Sequence, residues 1–177
     1  TSIESFLSPE AAKELLEQTR FDYVMDCIDS VTPKITLLKT AYDLGYRIAS
    51  SMGAGGKADP TKIRIAPLSD CVNDPLARKI QWKLRKLGVS SEKIMSIFSI
   101  EKPVVELLPL SAEQAEAPKE FGNVDFLRVR VMPVLGTSPS IFGQAMASYV
   151  LCSLAGLYPF LYLLFPGVYK CFLSFLL

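Results

Sequence analysis

Between Phe21 and Lys34 the chain reads FDYVMDCIDSVTPK, an apolar run that ends in two carboxylates, Asp26 and Asp29, and passes through Ser30 and Pro33 into a helical pattern. Few arrangements accommodate such a stretch. Tyr23, Val24 and Met25 are bulky or β-branched and uncharged, as a parallel strand covered on both faces requires, so a strand is expected over Phe21 to Ile28. The two aspartates then stand at a strand's carboxyl end. Open α/β sheets place their ligand crevices there, because the loops splay apart and helix N-termini point into the gap. Two carboxylates at a strand tip form a reasonable place to hold a cation.

The rest of the chain supports an alternation of strands and helices. Ser8-Pro9-Glu10 starts a helix expected to run to about Gln18, with Ser accepting from backbone N–H groups and Pro tolerated in the first turn. A helix follows the strand from about Val31 to Leu44, with Leu37, Leu38, Ala41 and Tyr42 at helical spacing, and Gly45 ends it. Arg47 to Met52 reads as the next strand and opens into Gly53-Ala54-Gly55-Gly56-Lys57-Ala58-Asp59-Pro60. A phosphate loop needs a helix directly after its glycines to present N–H groups to the anion. Here Asp59-Pro60 and the alternating Lys62-Ile63-Arg64-Ile65 indicate a turn and then a strand, so these glycines read as close packing or a turn.

Asn73-Asp74-Pro75 begins a helix to about Leu87, followed by a strand over Ile94 to Ile100. Glu101 to Asp125, rich in Pro, Glu and Ala, reads as a long surface loop. Phe126 to Val134 alternates as a strand, and an apolar helix is expected from about Ser140 to Leu154. The pattern predicts an α/β layered fold with a mixed sheet.

Composition removes several chemistries. The 177 residues contain no histidine, which excludes Ser-His and Cys-His nucleophilic pairs and His-ligated zinc. Cys27, Cys71, Cys152 and Cys171 show no CxxC spacing, and three of them lie in apolar runs, so they read as reduced, mostly buried thiols. Net charge is +1, so any polyanion contact must come from a local patch.

Four blocks carry a resemblance. DCIDSVTPK (Asp26 to Lys34), SSMGAGGKADPTKI (Ser50 to Ile63), NDPLARKI (Asn73 to Ile80) and PVLGTSPSIFGQAMASYV (Pro133 to Val150) together resemble the tRNA threonylcarbamoyladenosine dehydratase family, within the ThiF/MoeB, ubiquitin-activating-like superfamily of adenylating enzymes. The resemblance covers about residues 21 to 155. It implies a Rossmann-like fold and an ATP-dependent dehydration of threonylcarbamoyladenosine in tRNA, in which the threonyl carboxylate is activated by ATP and an internal nucleophile then closes a ring. It also implies ATP and Mg²⁺ as cofactors, tRNA as a partner and a homodimer. By position, Asp29 matches the superfamily's Mg-ATP aspartate and is the expected catalytic and metal residue. Asp26 and Ser30 join it as expected nucleotide contacts, with Asp26 close enough to position Asp29 or the metal's waters.

Two departures qualify what the resemblance implies. The superfamily's glycine-rich nucleotide loop lies upstream of this aspartate, and only 25 residues precede Asp26 here. Residues 1–155 are therefore expected to form the carboxyl-terminal part of an adenylating domain, N-terminally truncated and poor at binding ATP alone. Residues 156–177, LYPFLYLLFPGVYKCFLSFLL after Gly156, match nothing in the family and are expected to form an apolar helical tail.

Simpler readings stand beside these. Asp29 also suits a helix N-cap ahead of Val31. Arg78, Lys79, Lys83, Arg85 and Lys86 place five cations within nine residues, a candidate contact for tRNA phosphates or a solvated helix face. Ile141 to Tyr169 carries no charge and is long enough to span a membrane, although glycines and prolines interrupt it, so membrane contact through the tail is one expectation. An organelle or organelle membrane is the expected compartment. A non-catalytic half-domain that pairs with a partner is the alternative reading. Activation of a ubiquitin-like or sulfur-carrier protein is a second, weakened by the missing CxxC pairs.

Overall fold

The computed structural model describes residues 7–103 and 133–157. Eight main elements are built in chain order: α1 (Pro9–Gln18), β1 (Val24–Asp26), α2 (Val31–Asp43), β2 (Ile48–Ser51), β3 (Ile63–Pro67), α3 (Pro75–Lys86), β4 (Ile94–Ser99) and α4 (Thr137–Leu154). The four strands form one sheet in the order β1-β2-β4-β3. β1, β2 and β4 are parallel, and β3 runs antiparallel to β4, so the sheet is mixed.

Strand alternation divides the core into two layers. Val24, Ile48, Ile94 and Phe98 face Leu16 of α1, Ile35 and Leu38 of α2, and Ala77, Ile80 and Leu84 of α3. Ala49 and Ile97 face the other way, onto Phe142, Met146 and Val150 of α4. Each helix thus buries one stripe against the sheet, and the fold is a three-layer α/β/α arrangement.

The local signals act as the sequence indicates. Ser8 Oγ accepts from Ala11 N at 3.1 Å to start α1, and Asp74 Oδ1 accepts from Ala77 N at 2.9 Å to start α3. Gly45 takes φ +73° where α2 ends, a conformation that costs a residue with a Cβ considerably more. The glycines after β2 lead through a turn and a short 3₁₀ segment, Pro60–Lys62, into β3 rather than into a helix.

Two expectations need correction. β1 is three residues long instead of eight, and Met25 is 44% exposed. The reason is position: among the described residues β1 is an edge strand, and α4 lies across β2, β3 and β4. Cys27 is exposed, in place of the buried thiol its apolar neighbours suggest. The expected strand over Phe126 to Val134 and the loop from Glu101 lie largely outside the described residues, as do residues 158–177 of the expected tail. Among the described residues no helix is long and apolar enough to cross a membrane.

Candidate active site at the strand ends

The three parallel strands deliver their carboxyl ends to one edge of the molecule, and that edge is tied together by buried charge. Asp26 is the last residue of β1 and Lys34 lies in the first turn of α2; both side chains are fully buried, with Nζ 2.6 Å from Asp26 Oδ2. Ser50 Oγ donates to the same oxygen at 2.6 Å, and Ile28 N donates to Oδ1 at 3.0 Å. The lysine then donates to Ile28 O at 3.0 Å and Ser51 O at 2.7 Å. Desolvating two ions is costly, and this dense set of hydrogen bonds is what offsets it.

A second buried pair secures the neighbouring loop. Lys57 Nζ lies 2.8 Å from Asp74 Oδ2 and also donates to Gly53 O at 3.0 Å and Ser99 O at 3.3 Å. Asp74 Oδ2 accepts from Gly53 N at 3.1 Å. One carboxylate therefore caps α3, neutralises Lys57 and anchors the glycine turn after β2. Glu101, just beyond β4, accepts from Asp59 N at 2.9 Å and Ala58 N at 3.0 Å. Those two backbone donors hold its carboxyl below the usual carboxylate range.

The sequence-predicted residues divide on this frame. Asp29 is exposed, and its side chain has no hydrogen bond or ion pair among the described residues. Its immediate predecessor, Ile28, is held through both N and O by Asp26 and Lys34, so the backbone that presents Asp29 is fixed while the carboxylate stays open. Ser30 occupies the N-cap position of α2 without a side-chain cap bond, which leaves first-turn N–H groups of that helix uncapped by its hydroxyl. Asp26 has neither oxygen open to an external ligand: Lys34, Ser50 and Ile28 take both. It supports Asp29 from behind.

Cys27 lies between the two aspartates. Its sulfur leans on Met146 Sδ at 3.9 Å, and the partial desolvation of the sulfur there, followed by the Asp26 charge, raises its pKa above the usual value although the residue as a whole is exposed. Cys71 is pushed higher still by burial, to about 12.

Arg78, Lys79, Lys83, Arg85 and Lys86 lie on α3, the helix that Asp74 caps. Since α3 starts where Asp74 meets Gly53 and Lys57, the basic helix begins at this edge and runs back along the sheet. Arg78, Lys79, Arg85 and Lys86 are exposed, and Lys83 is half-buried.

Lys34, Lys57, Asp74, Ser50 and Glu101 carry the site's framework, and sequence reasoning does not single them out. One signal is present: Lys34 precedes Leu37, Leu38 and Ala41 by three, four and seven residues, which puts a lysine on the buried stripe of α2.

Among the described residues no group of three or more Cys, Asp or Glu is placed to hold a metal. A single carboxylate nevertheless fits Mg²⁺, which is commonly held by one or two carboxylates together with substrate phosphates and water. The open Asp29 beside uncapped helix N–H groups meets that description.

No protein-family model matches the chain. It is 42% identical over 139 residues to tRNA threonylcarbamoyladenosine dehydratase 2 of Saccharomyces cerevisiae, covering 76% of this chain and 31% of that protein. It is 35% identical over 136 residues to the tRNA threonylcarbamoyladenosine dehydratase of Bacillus subtilis, covering 75% of this chain and 50% of that protein. Its fold superposes on the Escherichia coli tRNA N6-threonylcarbamoyladenosine dehydratase crystallised with AMP, with a TM-score of 0.68 at 25% identity, over 87% of this chain and 56% of that one. The chain thus spans half or less of the length of the curated relatives it matches in yeast and Bacillus.

Proposed function

We propose, from kinship with the tRNA threonylcarbamoyladenosine dehydratases over 76% of its length, that this chain forms the acidic wall of an ATP-dependent tRNA-modifying site. The observation that carries this reading is Asp29, exposed and without a partner among the described residues, in the loop after β1 that the buried Asp26–Lys34 pair fixes. In the proposed reaction the threonyl carboxylate oxygen attacks the α-phosphorus of ATP and pyrophosphate leaves. An internal nucleophile of the modification then attacks the activated acyl carbon, AMP leaves, and a ring closes with net loss of water.

Within that sequence Asp29 holds Mg²⁺ and Ser30 contacts the nucleotide. The metal's contribution is to neutralise charge that builds on the phosphates. Asp29 also keeps anions from settling at the start of α2 unless a cation accompanies them, because its negative charge opposes the attraction of the helix terminus. Asp26 acts through Asp29 by fixing its backbone. The remaining phosphate-gripping groups are proposed to come from outside the described residues. Arg78, Lys79, Lys83, Arg85 and Lys86 supply a surface for tRNA phosphates, and the outward Ile141, Leu151 and Leu154 of α4 supply apolar surface for the proposed homodimer.

Transplanting residues 21–155 into the yeast relative in place of its aligned segment tests the reading. ATP-dependent loss of water from threonylcarbamoyladenosine, read by nucleoside mass, should persist in the chimera and fall at least a hundredfold with Asp29→Ala, about 2.7 kcal/mol of barrier. Undiminished dehydration by the Asp29→Ala chimera would sink the assignment.

A further inference from the structure

The single tryptophan of the chain, Trp82, stands on the basic helix and is 47% exposed, an unusual position for the largest apolar side chain. Lys86, one turn onward, lies over the ring with Nζ 3.7 Å from its centroid. One turn back Arg78 and Lys79, and two turns back Pro75, line a hollow against the same indole. A second, wider groove of about 500 Å³ continues from Trp82 past Arg78 and Arg85 to Ser90, with Glu92 its acidic residue. Cations therefore bracket an exposed aromatic face along α3, in a chain whose net charge is only +1.

The geometry points to Trp82 as a stacking platform for an unpaired RNA base, with Arg78, Arg85 and Lys86 taking the flanking phosphates. The inference deepens the proposed tRNA contact and rests on that reading. Charge alone would suit any polyanion, but an indole adds nothing to phosphate binding. It does add to a base, because every base presents a π-face, and stacking on aromatic side chains is how single-stranded RNA is commonly held. The placement is suitable too. Asp74 fixes the start of α3 to the glycine turn at the strand ends, and Trp82 lies eight residues on, about 12 Å along the helix at 1.5 Å per residue. A nucleotide stacked there would lie about two helical turns from the start of α3.

Because Trp82 is the only tryptophan, its emission reports this position alone. Titrating the full chain with single-stranded oligoadenylate of about twelve nucleotides, a length within usual single-strand site sizes, should quench that emission saturably. Heparin, a polyanion without bases, should displace the oligonucleotide without equal quenching. Trp82→Ala, read by anisotropy of labelled oligoadenylate, should weaken binding roughly five- to 150-fold, and Trp82→Phe should recover part of the loss. An unchanged far-UV spectrum identifies the loss as local. Unaltered emission on saturation with RNA, equal quenching by heparin or by polyglutamate, or full affinity in Trp82→Ala would each overturn the platform. Dehydration by the chimera separates the two readings: retained activity with unaltered Trp82 emission overturns the platform alone, and RNA quenching with an inactive chimera supports the platform while removing the proposed reaction.

Discussion

Asp26 and Asp29 are three positions apart and chemically identical, yet their surroundings give them different work. Asp26 is wholly enclosed and ion-paired; Asp29 is exposed and has no partner among the described residues. Removing one partner from a buried pair strands the other charge in a medium that solvates it poorly. Lys34→Met should therefore destabilise the fold by about 3–5 kcal/mol, measured by urea denaturation, because Asp26 then lacks its counter-ion. Replacing both together, Asp26→Leu with Lys34→Met, should recover much of that loss. Asp29→Ala should leave stability within about 0.5 kcal/mol, as expected for an exposed side chain without partners. The strand-end aspartates are legible in the sequence as a pair, but their division of labour is not. It depends on Ser50 and Lys34, and a lysine read from sequence alone defaults to solvent because desolvating an unpaired ammonium is so unfavourable.

At the scale of elements, the helices and the strand-to-helix order are readable because caps and apolar stripes are local signals. Ser8, Asp74 and Gly45 sit where the sequence places them, and the glycines after β2 make a turn. β1 is shorter than its apolar run suggests because sheet-edge position is a tertiary fact that residue type does not encode. The glycine turn is held by Asp74, which is 17 residues from Lys57 in sequence and therefore invisible to any short window. Asp74→Ala removes the α3 cap and leaves Lys57 buried without a counter-ion, so a loss of about 3–5 kcal/mol is expected in denaturant melts. Asp74→Asn, which retains a capping oxygen for Ala77 N, should lose less. Glu101 anchors the same loop from β4. Its carboxyl titrates below the ordinary range because Asp59 N and Ala58 N bond the ionised form. The contribution is thus fully present above the ordinary carboxylate pKa and disappears as pH falls through the lowered folded value. The amide proton shift of Ala58 should titrate in that acidic window and move much less in Glu101→Gln.

For the whole molecule, the mixed sheet brings the exposed Asp29, the start of α2 and the start of α3 to its carboxyl-end edge. The structure accounts for the α/β expectation and for the framework of the site, whereas residues 158–177 of the expected tail lie outside the described residues. The most direct measurement of the site's central chemistry is Mn²⁺-ATP binding followed by water proton relaxation, with Mn²⁺ standing in for Mg²⁺. In the chimera with the yeast relative, and with Asp29 as the metal carboxylate, Asp29→Ala should weaken Mn²⁺-ATP binding by about tenfold or more, about 1.4 kcal/mol, with no change in thermal melting. Equal Mn²⁺-ATP affinity in the chimera and in its Asp29→Ala form would contradict the assignment of Asp29 to the acidic wall of an ATP site.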